Sequence, residues 1–103
     1  MLDAKLEAIR QKLIENANAK YAKYPQYKGH WDNWGLAVAR KQIKGRGGVI
    51  CLEKGEYCLI SLETPKKEKY SQYPNVLWTA VYLEKNLGGC DTSVNSAHFE
   101  IQS

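Results

Sequence analysis

The apolar residues Leu2, Leu6, Ile9 and Leu13 recur at alternating steps of four and three, and Ala17 and Tyr21 continue the same stripe. A helix built this way has a single apolar face and must lay it on something. Its expected span is about residues 2–22. Asp3 and Glu7 fall in its early turns and Lys20 and Lys23 near its end, which is the polarity the helix dipole favours. Pro25 disfavours helical geometry at Tyr24 and Gly29 follows soon after, so the helix ends by this point.

The surface that the stripe covers is written in the rest of the chain. From Trp34 onward the sequence turns to short runs rich in Val, Ile, Leu, Tyr and Trp, separated by glycine-containing turns. These runs predict strands over about 35–43, 49–52, 57–62, 76–84 and 92–101, and short turns between the first three make those neighbours antiparallel. Residues 63–75 read as a polar loop with two prolines, and 86–91 as the last turn. A chain of 103 residues has room for one hydrophobic core. The expectation is therefore a single α+β domain over 1–103, with the helix at about 2–22, an aromatic and basic linker at 23–34 and a sheet at 35–101. The helix packs on an antiparallel meander of about five strands, with Leu6, Ile9 and Leu13 buried against it.

A two-residue turn at Lys54 and Gly55 would set Cys51 opposite Cys58 on one side of a hairpin, with Cα atoms about 5.5 Å apart and within disulfide range. The start of the chain alternates charged and apolar residues, unlike a signal peptide or a membrane span, so a cytoplasmic location and reduced thiols are expected. Cys90 follows two glycines and adjoins Asp91, whose charge disfavours the thiolate. The cysteine and histidine spacings match no metal signature, and no cofactor motif is present. The run Lys44-Gly45-Arg46-Gly47-Gly48 joins two strands; its three glycines can take positive φ. It opens no helix, so it lacks the N-terminus that a phosphate cradle uses.

Charge is unevenly distributed. Residues 20–48 hold Lys20, Lys23, Lys28, Arg40, Lys41, Lys44 and Arg46 against Asp32 alone, in a chain whose net charge is +4, so the remainder is negative. The same stretch contains Tyr21, Tyr24, Tyr27, Trp31 and Trp34. Cations among aromatics serve protein interfaces as anchors, and they also neutralise phosphates and stack on bases. The candidate binding residues are Tyr24, Tyr27 and Trp31 as anchors, with Arg40, Lys41, Lys44 and Arg46 as cations; Trp34, opening the first strand, is assigned to the core. Lys66, Lys67, Lys69, Tyr70 and Tyr73 form a second cluster of the same chemistry. The motif KYxxYP occurs in both regions, at residues 20–25 and 69–74, and a duplication would make the two copies equivalent supports on the sheet.

The leading expectation for function is a small non-catalytic interaction module, inhibitor-like or adaptor-like, with a protein partner. A nucleic-acid-binding protein using the same basic hairpin is the alternative, although no RRM, KH or zinc-finger motif is present. A metal-independent ribonuclease is the third reading. It would use His30 and His98 as the two proton-transfer groups.

Overall fold

The computed structural model describes residues 2–85 and 92–103, apart from the side chain of Arg46. The turn expected at 86–91, with Cys90, lies outside the described residues. Helix α1 spans Ala4–Lys20. Asp3 is its N-cap, accepting a 2.9 Å hydrogen bond from the Leu6 amide and so satisfying one of the free donors of the first turn. Lys20 lies in the last turn and donates to the Glu84 carbonyl at 3.1 Å, while Asn16 donates to the Glu84 carboxylate. The helix is thereby held to the chain just beyond the strand it covers.

Among the described residues seven strands follow: β1 (Gly35–Ala39), β2 (Ile43–Lys44), β3 (Ile50–Leu52), β4 (Tyr57–Ile60), β5 (Trp78–Tyr82), β6 (Thr92–Asn95) and β7 (Phe99–Ile101). Five make an antiparallel sheet in the order β6-β5-β4-β1-β7, and β2 with β3 forms a separate two-stranded ribbon. The α+β arrangement of an N-terminal helix on a five-stranded antiparallel sheet is what the sequence predicts. Two of the expected strands are divided, however, and each division has a local cause.

The run 35–43 breaks after Ala39. The Gly55 amide donates to the Ala39 carbonyl and the Ala39 amide to the Glu56 carbonyl, so the chain returning into β4 takes over pairing at the end of β1. Residues beyond that point leave the sheet, so Arg40 and Lys41, within the expected strand over 35–43, lie outside β1. The expected pairing of Cys51 with Cys58 is likewise replaced. Cys58 stands opposite Ala37 in β1, and Leu52 of β3 stands opposite Ile43. Only two of the three expected glycines in the ribbon turn take positive φ, Gly47 at 74° and Gly48 at 78°; Gly45 is extended.

The run 92–101 breaks at Asn95, whose side chain accepts from the Ala97 amide at 3.0 Å and starts the 3-10 turn Ser96–His98. The consequence is global. Asn95 pairs with Trp78 at one edge of the sheet, and Phe99 pairs with Ala39 at the other. Four residues of chain span at most about 14 Å, so the sheet has to curl until its two edges nearly meet.

Curling gives the sheet a concave and a convex face, each with its own core. Inside the curl lie Ala37, Ala39, Cys58, Ile60, Val81, Leu83, Val94 and Phe99, capped by Leu52 of the ribbon. Outside, Leu59 of β4 and Tyr82 of β5 stand side by side and are covered by Ile14, Ala17 and Trp31. The expected stripe is therefore displaced round the helix. Ile14 and Ala17 are the buried residues of α1, while Leu6, Ile9 and Leu13 are only half-buried, because the helix contacts β1 and β4 mainly through its C-terminal half. Gly35 lets the Leu62 side chain lie close over β1; a Cβ there would stand 2.7 Å from a Leu62 methyl carbon, which would have to turn aside.

Two outcomes check this packing. Leu59→Ala should cost roughly 2–5 kcal/mol and Leu6→Ala less than half as much, read by urea denaturation. In the native Cys90→Ser protein, Cys51 should react with a thiol reagent while Cys58 reacts only on unfolding, because burial pushes the Cys58 thiol up to about 12.

Candidate functional site

The first cluster of candidate residues does not stay together. Tyr24 and Tyr27 flank the 3-10 turn Pro25–Tyr27 and pack against Tyr21, His30 and Trp31, before β1 begins. Arg40, Lys41 and Lys44 follow the far end of β1. Between Trp34 and Arg40 runs roughly 20 Å of extended chain at about 3.3 Å per residue. Proximity in sequence is undone by the strand between them.

Trp31 is corrected from surface anchor to core residue. It is fully buried, with its ring centroid 5.5 Å from that of Tyr82 and 4.9 Å from that of His30. Trp34 is half-buried beside the same core, as expected. Tyr27 is half-buried and Tyr24 is 42% exposed, so this end presents an aromatic margin of a core and not a row of anchors. The two copies of KYxxYP are not equivalent either. Tyr21 packs on Trp31 at 5.5 Å, whereas its counterpart Tyr70 is 90% exposed.

His30 and His98 are also kept apart. The His30 ring lies 5.5 Å from Trp34, ahead of β1, and the His98 carbonyl accepts from the Arg40 amide, beyond its other end. Two proton-transfer groups placed so cannot serve one phosphate. Among the described residues, no group of three or more His, Cys, Asp and Glu is placed to hold a metal ion.

What the curl does bring together is Tyr73 of the second cluster and His98, with Lys41 of the first cluster near them. A groove of about 310 Å³ opens where the ribbon approaches the chain leading into β5. Ile43 of β2 and Val94 of β6 line it together with Val76 and Tyr73 from the connection between β4 and β5. Trp78 at the start of β5, Asn95, and His98 of the 3-10 turn complete it. The lining is mainly apolar. Of the residues singled out in the sequence, Tyr73 and His98 belong to it, and Lys41 lies close enough to His98 to act on its charge.

Arg40 stands beside this region, its Nε donating to the Phe99 carbonyl at 3.3 Å. Lys44 is exposed at the end of β2. Lys66 and Lys67 line a second, more polar hollow with Glu63, Glu68 and Ser93, and share Trp78 with the groove. Lys69 lies over the Tyr70 ring at 5.5 Å, away from both. The Trp78 indole N–H is buried without a hydrogen-bond partner, a defect that typically costs about 1–3 kcal/mol.

Two connections also carry much of the exposed apolar surface. Among the described residues eight large apolar side chains are exposed, and six of them, Val49, Ile50, Leu62, Tyr70, Tyr73 and Leu77, belong to the two connections 40–56 and 61–77. Sequence reading reached Tyr73 and His98 but not Ile43, Val76, Trp78, Val94 or Asn95. The usable signal was Asn95-Ser96, a turn-forming pair inside an apparent strand, which reports the break that brings the edges together.

Compared with protein-family models, curated proteins and solved structures, the chain matches none. Function is therefore read from the site itself.

The groove has a titratable reporter. Burial, and secondarily the charge of Lys41, hold the His98 imidazole below its ordinary value. The unfolded chain then binds the proton more readily than the folded one. The stability linked to His98 is present above the unfolded value and is lost as pH falls through the folded one. In NMR titration the His98 midpoint should lie below 6.5 and rise in Lys41→Gln; a midpoint unmoved by that substitution would separate Lys41 from the groove.

Proposed function

We propose that this protein is a small non-catalytic interaction module that binds a larger protein partner through the groove between the ribbon and the start of β5, as inhibitors and adaptors do. The observation that carries the reading is a mainly apolar hollow with the exposed ring of Tyr73 on its lining. A concave, mainly apolar hollow with a few polar groups on its lining is the kind of surface proteins use for binding. Aromatic side chains at the centre and cations at the margin match the usual anatomy of an interface, where buried anchors supply affinity and rim charges tune association. Tyr73 is the anchor in this reading. Trp78 forms the wall behind it, and Lys41, Lys44 and Arg40 form the margin.

The cytosol is part of the same proposal. Among the described residues no helix is long and apolar enough to cross a membrane. Nucleic acid is kept as a second reading on one observation: Tyr70 presents a nearly free ring beside Lys69, which is the pairing that stacks on a base and neutralises its phosphate.

Affinity capture from the native cell extract distinguishes the two. One protein should be recovered with or without nuclease, kept by Tyr24→Ala, and lost or weakened about tenfold or more by Tyr73→Ala, with circular dichroism unchanged. Loss of all bound material on nuclease treatment would favour nucleic acid. Retention by Tyr73→Ala together with loss by Tyr24→Ala would move the site to the aromatic end of β1.

A further inference from the structure

We infer that the occupant of the groove is a short acidic segment of the partner carrying one apolar side chain. This rests on the reading of the groove as a protein-binding site and adds the chemistry of what enters it.

The inference follows from where the fold puts the charge. The connections 40–56 and 61–77 together hold eight cations and four acids, a surplus of four that equals the net charge of the whole chain. All other residues together hold seven cations and seven acids and are neutral. These are the two connections that meet at the groove, through Ile43 on one side and Tyr73 and Val76 on the other. Among the described residues, no salt bridge ties Arg40, Lys41, Lys44, Lys66, Lys67 or Lys69 to a carboxylate. On the ribbon side of the apolar floor, Lys41 and Lys44 flank Ile43 in sequence and Lys41 lies close enough to act on His98, so cations border the groove there without a carboxylate partner among the described residues.

A partner segment suited to such a surface needs two features. An apolar side chain seated against Ile43, Val76 and Val94 removes apolar area on both partners from water. Carboxylates on either side of it meet the rim cations, which speeds association and rejects basic sequences. A nucleic acid supplies the charge but fits the floor poorly. Successive bases need successive exposed rings; in this groove Trp78 is largely covered, Tyr73 alone is exposed, and Tyr70 does not line it.

The test is a displayed library of random ten-residue peptides, screened against the intact chain and against Lys41→Glu with Lys44→Glu. Lys41→Gln with Lys44→Gln serves if the charge reversal disturbs the circular dichroism. Enriched peptides should be rich in Asp and Glu around one recurrent apolar position. Replacing that apolar residue by Ala, or reversing the two lysines, should weaken binding about tenfold or more. The bound peptide should shift the amide signals of Ile43, Val94, Asn95 and His98. Neutral or basic peptides that shift those same signals would overturn the inference and leave the groove standing as a protein-binding site. A thymidine decanucleotide shifting them where no peptide does would overturn both. The absence of any peptide directed to the groove would overturn the inference.

Discussion

The 3-10 turn Ser96–His98 is the constraint on which the rest of the sheet depends. It joins strands at opposite edges, and it is too short to reach across a flat sheet of five. Curvature is therefore imposed by covalent connection as well as by the ordinary twist of strands. The Arg40 amide bonds to the His98 carbonyl at 2.8 Å, and Ser96 donates to the Leu77 carbonyl at 2.9 Å, so both sides of the turn are pinned. Without that tie the inner face, from Ala37 to Phe99, would have no opposing wall.

The two cores divide the work of the molecule. Inside the curl Ala37, Ala39, Cys58 and Val81 have almost no exposed surface, and Leu83 and Phe99 pack with them. The large aromatic side chains Trp31 and Tyr82 are placed outside, where the helix, the linker and the sheet meet. Trp31 is the largest of these, and its burial explains why a stretch so rich in aromatics offers little of them to solvent. The proposed binding groove opens at the margin of the inner core, which contributes Val94 to its lining, where two long connections meet.

Much of the architecture was legible because it depends on local periodicity. The N-terminal helix and the positions of most strands follow from residues close together in the sequence. What the sequence did not disclose is governed by contacts between distant residues. The exit of the chain at Arg40 is decided by competition from Gly55 and Glu56, and the break at Asn95 acquires its meaning only from where β7 then pairs. The candidate site failed for the same reason. Tyr24 and Lys44 are near in sequence but lie beyond opposite ends of β1, while Ile43 and Tyr73 are distant in sequence and share one groove.

The placement of β7 also bears on the time course of folding. β1 is flanked on one side by β4 and on the other by the last strand of the sheet, the pairing with the longest separation along the chain. Helix α1 and the hairpin-like neighbours β4 and β5 can gain contacts without that closure, but the inner face stays open to water until the final strand arrives. Long-range closure must be completed before its contacts repay the lost chain entropy. The meeting of β1 and β7 is therefore the strand pairing that asks most of the chain's entropy.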